Sequence, residues 1–159
     1  MMPLLALDLS KNTGWACYDS AGLLISGTLN LSPSTRWESY GTYALRLTSW
    51  LRFQVDNLND GADPVIAFEQ PIPRRGQKGQ TPVPVLLAGS LVQECERMGL
   101  TYFSPTPSTL KKLATGKGNA PKHAVIEAAR AKWPEQNVES DDQADALWCL
   151  EWLRLEVGE

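Results

Sequence analysis

Leu4-Leu5-Ala6-Leu7-Asp8-Leu9-Ser10-Lys11-Asn12-Thr13-Gly14 is the stretch on which the reading of the fold turns. A short apolar run carries one acid near its end and then meets the turn-prone residues Ser10 to Gly14. This is the pattern of a buried strand that delivers a carboxylate where it leaves the core. Residues 15–18 and 23–31 follow as two more strands, divided by Asp19-Ser20-Ala21-Gly22, and the tight spacing predicts an antiparallel meander. Residues 35–58 repeat Trp37, Tyr40, Tyr43 or Ala44, Leu47, Leu51 and Val55 at helical intervals. Val65-Ile66-Ala67-Phe68-Glu69 is a second buried-type strand ending in an acid.

Beyond it, residues 71–84 form a proline-rich loop bearing Arg74, Arg75 and Lys78. A helix over 85–98 stops at Gly99, and a strand over 100–103 follows. Helices over 109–115 and 122–133 flank the loop Gly116-Lys117-Gly118-Asn119-Ala120-Pro121. Ser140 with Gln143 three residues on matches a capping box, which opens a last helix with Ala144, Leu147, Trp148, Leu150 and Leu153 on its apolar face. Strands first, then helices alternating with strands, predict one α/β domain over residues 1–159, a mixed sheet with helices on both faces.

Composition bounds the function. The chain has 159 residues, 43% of them hydrophobic and 21% charged, enough for a packed core. No apolar run nears the roughly 20 residues of a membrane span, and the first ten residues lack the basic start of a signal peptide. Cys17, Cys95 and Cys149 form no C-x-x-C pair, so reduced, buried thiols and a cytoplasmic location are expected. The net charge of -3 hides a strong asymmetry. Residues 1–69 carry four basic and seven acidic side chains, residues 70–134 ten and three, and residues 135–159 one and eight. A basic middle between acidic ends suits a polyanion and cations together.

Asp8 and Glu69 end buried-type strands, while Asp142 and Asp145 stand three apart on one helix face. Asp141 is four residues from Asp145 and is an alternative to Asp142. Acids in a first helical turn also suit the macrodipole, but crowding Glu139, Asp141, Asp142 and Asp145 is repulsive unless a cation relieves it. Four hard oxygen donors suit Mg²⁺ or Mn²⁺ rather than zinc. A pair of such ions about 3.5–4 Å apart can hydrolyse a phosphodiester. The sole histidine, His123, is expected on a solvent face, and there is no P-loop. Lys111, Lys112, Lys117 and Lys122 flank a turn and a helix N-terminus, an anion site. With Arg74, Arg75 and Lys78 they form the candidate polyanion contacts. Trp37, Trp50, Trp148 and Trp152 fall on apolar helix faces and are expected in core or dimer packing.

Taken together, Leu-Ala-Leu-Asp8-Leu-Ser-x-x-Thr-Gly14, Ala67-Phe-Glu69-Gln70, Lys111-x-x-x-x-Gly116-x-Gly118-x-Ala120-x-Lys122-x-x-Val125 and Asp142-x-x-Asp145-Ala-Leu resemble the RuvC Holliday junction resolvases of the RNase H-like nucleases. The four segments keep the family's order across nearly the whole chain. One departure is that Pro71 and Ile72 follow Glu69-Gln70, where the family often has an aromatic residue. The divergence fits the shorter phage-borne members. The resemblance implies an RNase H-like mixed five-stranded sheet and a homodimer that nicks four-way DNA junctions symmetrically. It implies two Mg²⁺ ions, replaceable by Mn²⁺, held by the catalytic acids Asp8, Glu69, Asp142 and Asp145, with Asp8 bridging. Lys111 and Lys122 would touch DNA phosphates. Other readings share part of this pattern: a debranching nuclease, an RNase H-type hybrid nuclease, a non-catalytic DNA-binding module, or an actin-like nucleotide-binding domain. The last needs two domains around its nucleotide, and no nucleotide cofactor is expected here.

Overall fold

The computed structural model describes residues 1–32, 35, 38–72 and 83–159. Five strands, β1 (Leu4–Asp8), β2 (Asn12–Tyr18), β3 (Leu24–Asn30), β4 (Val65–Phe68) and β5 (Tyr102–Phe103), lie in the order β3-β2-β1-β4-β5. The meander β1-β2-β3 is antiparallel, whereas β4 and β5 run parallel to β1. The helices are α1 (Tyr40–Leu58), α2 (Val83–Met98), α3 (Pro107–Thr115), α4 (Lys122–Lys132) and α5 (Asp141–Val157).

Strand alternation divides the apolar residues between two cores. Leu5 and Leu7 of β1 and Ile66 and Phe68 of β4 face α1 and α2, where they meet Leu47, Leu51, Leu87 and Leu91. Each of these buried leucines contributes about 2 kcal/mol of apolar burial, so this layer supplies much of the hydrophobic stabilisation. The opposite face carries smaller residues, Ala6, Ala16 and Ala67, against α5 and α4. Small side chains let a helix lie close to a sheet. Accordingly α5 is enclosed nearly all round, with Ala144, Ala146, Leu147, Trp148, Cys149, Leu150 and Leu153 buried. The Trp148 indole lies edge-on to Trp133 at 4.8 Å and donates its Nε1–H to the Val125 carbonyl at 3.2 Å.

The mixed sheet and its two helical layers agree with the sequence reading, while several boundaries move. Asn12 to Gly14, expected in a turn, already belong to β2, because their backbone pairs with β3 through Asn12–Asn30 and Gly14–Thr28. Helix α1 is defined from Tyr40; Trp37 lies outside the described residues. Tyr40 is half exposed and stacks on Tyr43 instead of entering the core. The capping box at α5 is half formed. Ser140 Oγ accepts from the Gln143 backbone N–H at 3.1 Å, but the Gln143 side-chain Oε1 accepts from the backbone N–H of Glu139 rather than that of Ser140. The Gln143 side-chain Nε2 donates to Ser26 Oγ and to the Gln136 backbone carbonyl, tying α5 to the sheet edge. The three cysteines are buried and unpaired. Among the described residues no helix is long and apolar enough to cross a membrane.

Candidate active site

Parity places the acids. Asp8 follows Leu4 and Ala6 on the α5 face of β1, and Glu69 follows Val65 and Ala67 on the same face of β4. The strands run in register through Leu7–Phe68, and the Glu69 amide donates to the Leu7 carbonyl at 3.1 Å. The next residues on the two strands, Asp8 and Glu69, are therefore neighbours across about 4.8 Å of backbone. They stand at the carboxyl ends of adjacent parallel strands, where open α/β sheets place ligands.

Gly14 brings the helix to them. It pairs with Asp8 across the β1–β2 ladder, and a Cβ on Gly14 would lie 1.8 Å from the Asp142 carbonyl oxygen. Only a residue without a side chain allows α5 to start there, and that start sets Asp142 beside Asp8. Asp145, one turn on, shares the face. Ser10 Oγ donates to the Asn12 carbonyl at 2.7 Å and lies 3.4 Å from Asp142 Oδ1.

Asp141 and Asp142 have different surroundings. Asp142 turns inward, sharing a hydrogen bond with Asp8. Asp141 turns outward and accepts from Lys122 Nζ at 2.7 Å, an ion pair that lowers its pKa. The four inward acids all shift upward. Burial is the main cause for Asp8, which is raised well above the carboxylate range with further contributions from Asp145, Glu69 and Asp142. Burial likewise raises Glu69 to about 7, opposed by Lys111 and Lys122, and Asp145 to about 6. Asp142 is also raised, by burial and by Asp141.

Two buried acids elsewhere behave oppositely. Glu94 is held by Arg52 at 2.6 Å, and Glu151 by Arg154 at 3.0 Å and Lys132 at 3.2 Å; both are lowered. Structural acids in this protein are thus matched by cations, and the strand-end acids are left under-neutralised, the pattern of a functional site. Among the described residues no three acid, histidine or cysteine side chains are closed into a ready ligand set. The four acids form a looser, mutually repelling group of hard oxygen donors, a donor set that fits Mg²⁺ or Mn²⁺.

Lys111 and Lys122 border this group closely enough to lower Glu69 and Asp145. Lys112 and Lys117 are exposed farther round the same turn, which Gly116 shapes as the left-handed cap of α3 at φ 79°. His123 is exposed on α4, as expected. Arg74, Arg75 and Lys78 lie outside the described residues. Of the remaining tryptophans, Trp148 is core, while Trp50 and Trp152 pack at its margins. Sequence reading missed three features: the Gly14–Asp142 approach, the Asp141–Lys122 pair and the part played by Ser10. No local pattern announces any of them, because each joins residues that are distant in sequence.

The comparisons bear on the whole chain. A solved structure of Thermus thermophilus RuvC superposes with a TM-score of 0.69 at 17% identity, covering 99% of this chain and 97% of that one. The chain has the RuvC fold. T. thermophilus RuvC in complex with a Holliday junction substrate superposes with a TM-score of 0.75 at 15% identity, covering 98% of this chain and 97% of that one. No family model and no curated protein matches the chain. The RuvC fold thus persists here at an identity where fold alone is shared.

The acid shifts predict how stability depends on pH. Glu69 and Asp145 titrate higher folded than their ordinary 4.5 and 3.8, so the folded chain binds more protons than the unfolded one between those values and about 7. Their stabilising contribution is complete below the ordinary range and lost as pH rises through 6 and 7. Glu94, Glu151 and Asp141, shifted down, contribute in the opposite sense below about pH 4. Metal-free protein should melt highest near about pH 5 and several degrees lower at pH 7.5, with added Mg²⁺ reducing the difference. A melting temperature that climbs steadily to pH 7.5 without metal would contradict these shifts.

Proposed function

We propose that this protein is a divalent-metal-dependent endonuclease that resolves four-way DNA junctions. The observation that carries the reading is the convergence of Asp8, Glu69, Asp142 and Asp145 beneath Lys111 and Lys122, on the fold of RuvC. Asp8, Glu69, Asp142 and Asp145 would hold the divalent metal, with Asp8 standing between Glu69 and Asp142. Bound ions would supply an activated water and neutralise the leaving alkoxide. The side chains of this chain do the rest. The acids would hold the metal where the strand ends leave the core, Ser10 would orient Asp142, and the lysines would draw the phosphate in. Lys112 and Lys117 extend that cationic surface, and Arg74, Arg75 and Lys78, which lie outside the described residues, are further DNA contacts on the strength of their charge alone. Symmetric cutting of two opposed strands calls for two such sites, hence a homodimer.

The test of substrate is a side-by-side assay of a fixed four-way junction, a replication fork, a flap and an RNA–DNA hybrid in Mg²⁺. The junction should be cut fastest. Preferred cutting of the hybrid would turn the same fold and acids into an RNase H-type enzyme. Lys111→Ala should weaken junction binding and reduce the slope of log affinity against log salt by about 1. An unchanged slope would take Lys111 off the DNA path.

A further inference from the structure

Lys122 occupies an unfavourable position for a cation, the first turn of α4, where the macrodipole repels it. Asp141 stands in the first turn of α5 and meets it at 2.7 Å. The pair is exposed on both sides, 71% and 39%, and exposed pairs add little stability. Its placement is more telling. The Lys122 ammonium interacts through space with Asp145 and Asp8, as well as with Glu69. Its direct hydrogen bond nevertheless goes to Asp141, outside the group of four. A long flexible ammonium beside four under-neutralised carboxylates is itself a competitor for the place of a metal ion.

We propose that Asp141 is a positioning residue for Lys122: it holds the ammonium at the rim of the acid group, so that the cation position stays open to a divalent ion. This rests on the reading of the four acids as a metal site. Released from Asp141, Lys122 can swing onto Asp145 or Glu69, and Mg²⁺ must then displace it. Held by Asp141, it remains near enough to meet a DNA phosphate without filling the site.

The test is calorimetric titration of the DNA-free protein with Mg²⁺, comparing Asp141→Asn in the unmodified protein and in Lys122→Met. Loss of the Asp141 charge alone weakens a nearby cation site through space in both backgrounds. The proposal adds a term that exists only when Lys122 is present. Asp141→Asn should therefore weaken Mg²⁺ binding about tenfold in the unmodified protein, and by no more than about threefold in Lys122→Met. Asp141→Glu, which can keep the pair, should restore most of the affinity. Equal losses in the two backgrounds would overturn the positioning role and leave Asp141 a simple neighbouring charge. Failure of the unmodified protein to bind Mg²⁺ at all would instead overturn the metal reading beneath it.

Discussion

Asp8→Asn should make the protein more stable and catalytically dead. Asp8 is buried against Glu69, Asp142 and Asp145 and is raised well above the carboxylate range, so in metal-free protein near neutral pH its acid group costs folding free energy. Asparagine is nearly isosteric, carries no charge and retains an N–H that can serve Asp142 as a donor. Removing the repulsion should gain about 1–2 kcal/mol, or roughly 3–6 °C in melting temperature for a domain of this size. Mg²⁺ should stabilise the unmodified protein and barely affect the variant. Cleavage should fall about a thousandfold or more, since a carboxylate of the proposed metal site is lost. A variant that melts lower than the parent without metal would show that the acids are not strained together as the geometry says.

The second large effect belongs to Gly14. A methyl group there would stand 1.8 Å from the Asp142 carbonyl oxygen, a contact with backbone that no rotamer change relieves. Alanine forces α5 off β2 or bends the start of the helix, at a cost of about 3 kcal/mol or more and a fall in melting temperature of roughly 6–12 °C. Because the same contact sets Asp142 beside Asp8, activity should fall further than the lost folded fraction explains. Gly89, inside α2, has open space around its Cβ position, and Gly89→Ala should gain up to about 1 kcal/mol of helix propensity. Urea unfolding of the two variants separates them. A Gly14→Ala protein as stable as its parent would mean that α5 does not sit where this structure has it.

Much of this is legible in the chain itself. Short, continuously apolar runs ending in Asp8 and Glu69 announce two buried strands with carboxylates at their ends, because such runs are a local property of the chain. The capping serine at Ser140 fixed the start of α5 and hence the shared face of Asp142 and Asp145. What stayed hidden is non-local. Nothing in Asn12-Thr13-Gly14 distinguishes a turn from a strand until β3 is there to pair with it. The glycine reads as a turn former, although its use is to admit a helix 128 residues later. The surroundings of Asp141 and Asp142 depend on which way α5 is rotated, and the Gly14 contact and the Lys122 pair that go with that rotation join residues far apart in the chain. Tyr40 fits the helical period but opens α1, where it stacks on Tyr43 and remains half exposed.

The central claim is that the four strand-end and helix-start acids bind divalent ions and cut DNA at a junction. Its most direct test is a fixed four-way junction labelled on two opposed strands, incubated with the protein with and without Mg²⁺, beside Asp8→Asn and Glu69→Gln. The account predicts paired nicks at symmetric positions that require the metal and disappear in both variants. Equal cutting without metal, or by Asp8→Asn at the rate of the unmodified protein, would contradict it.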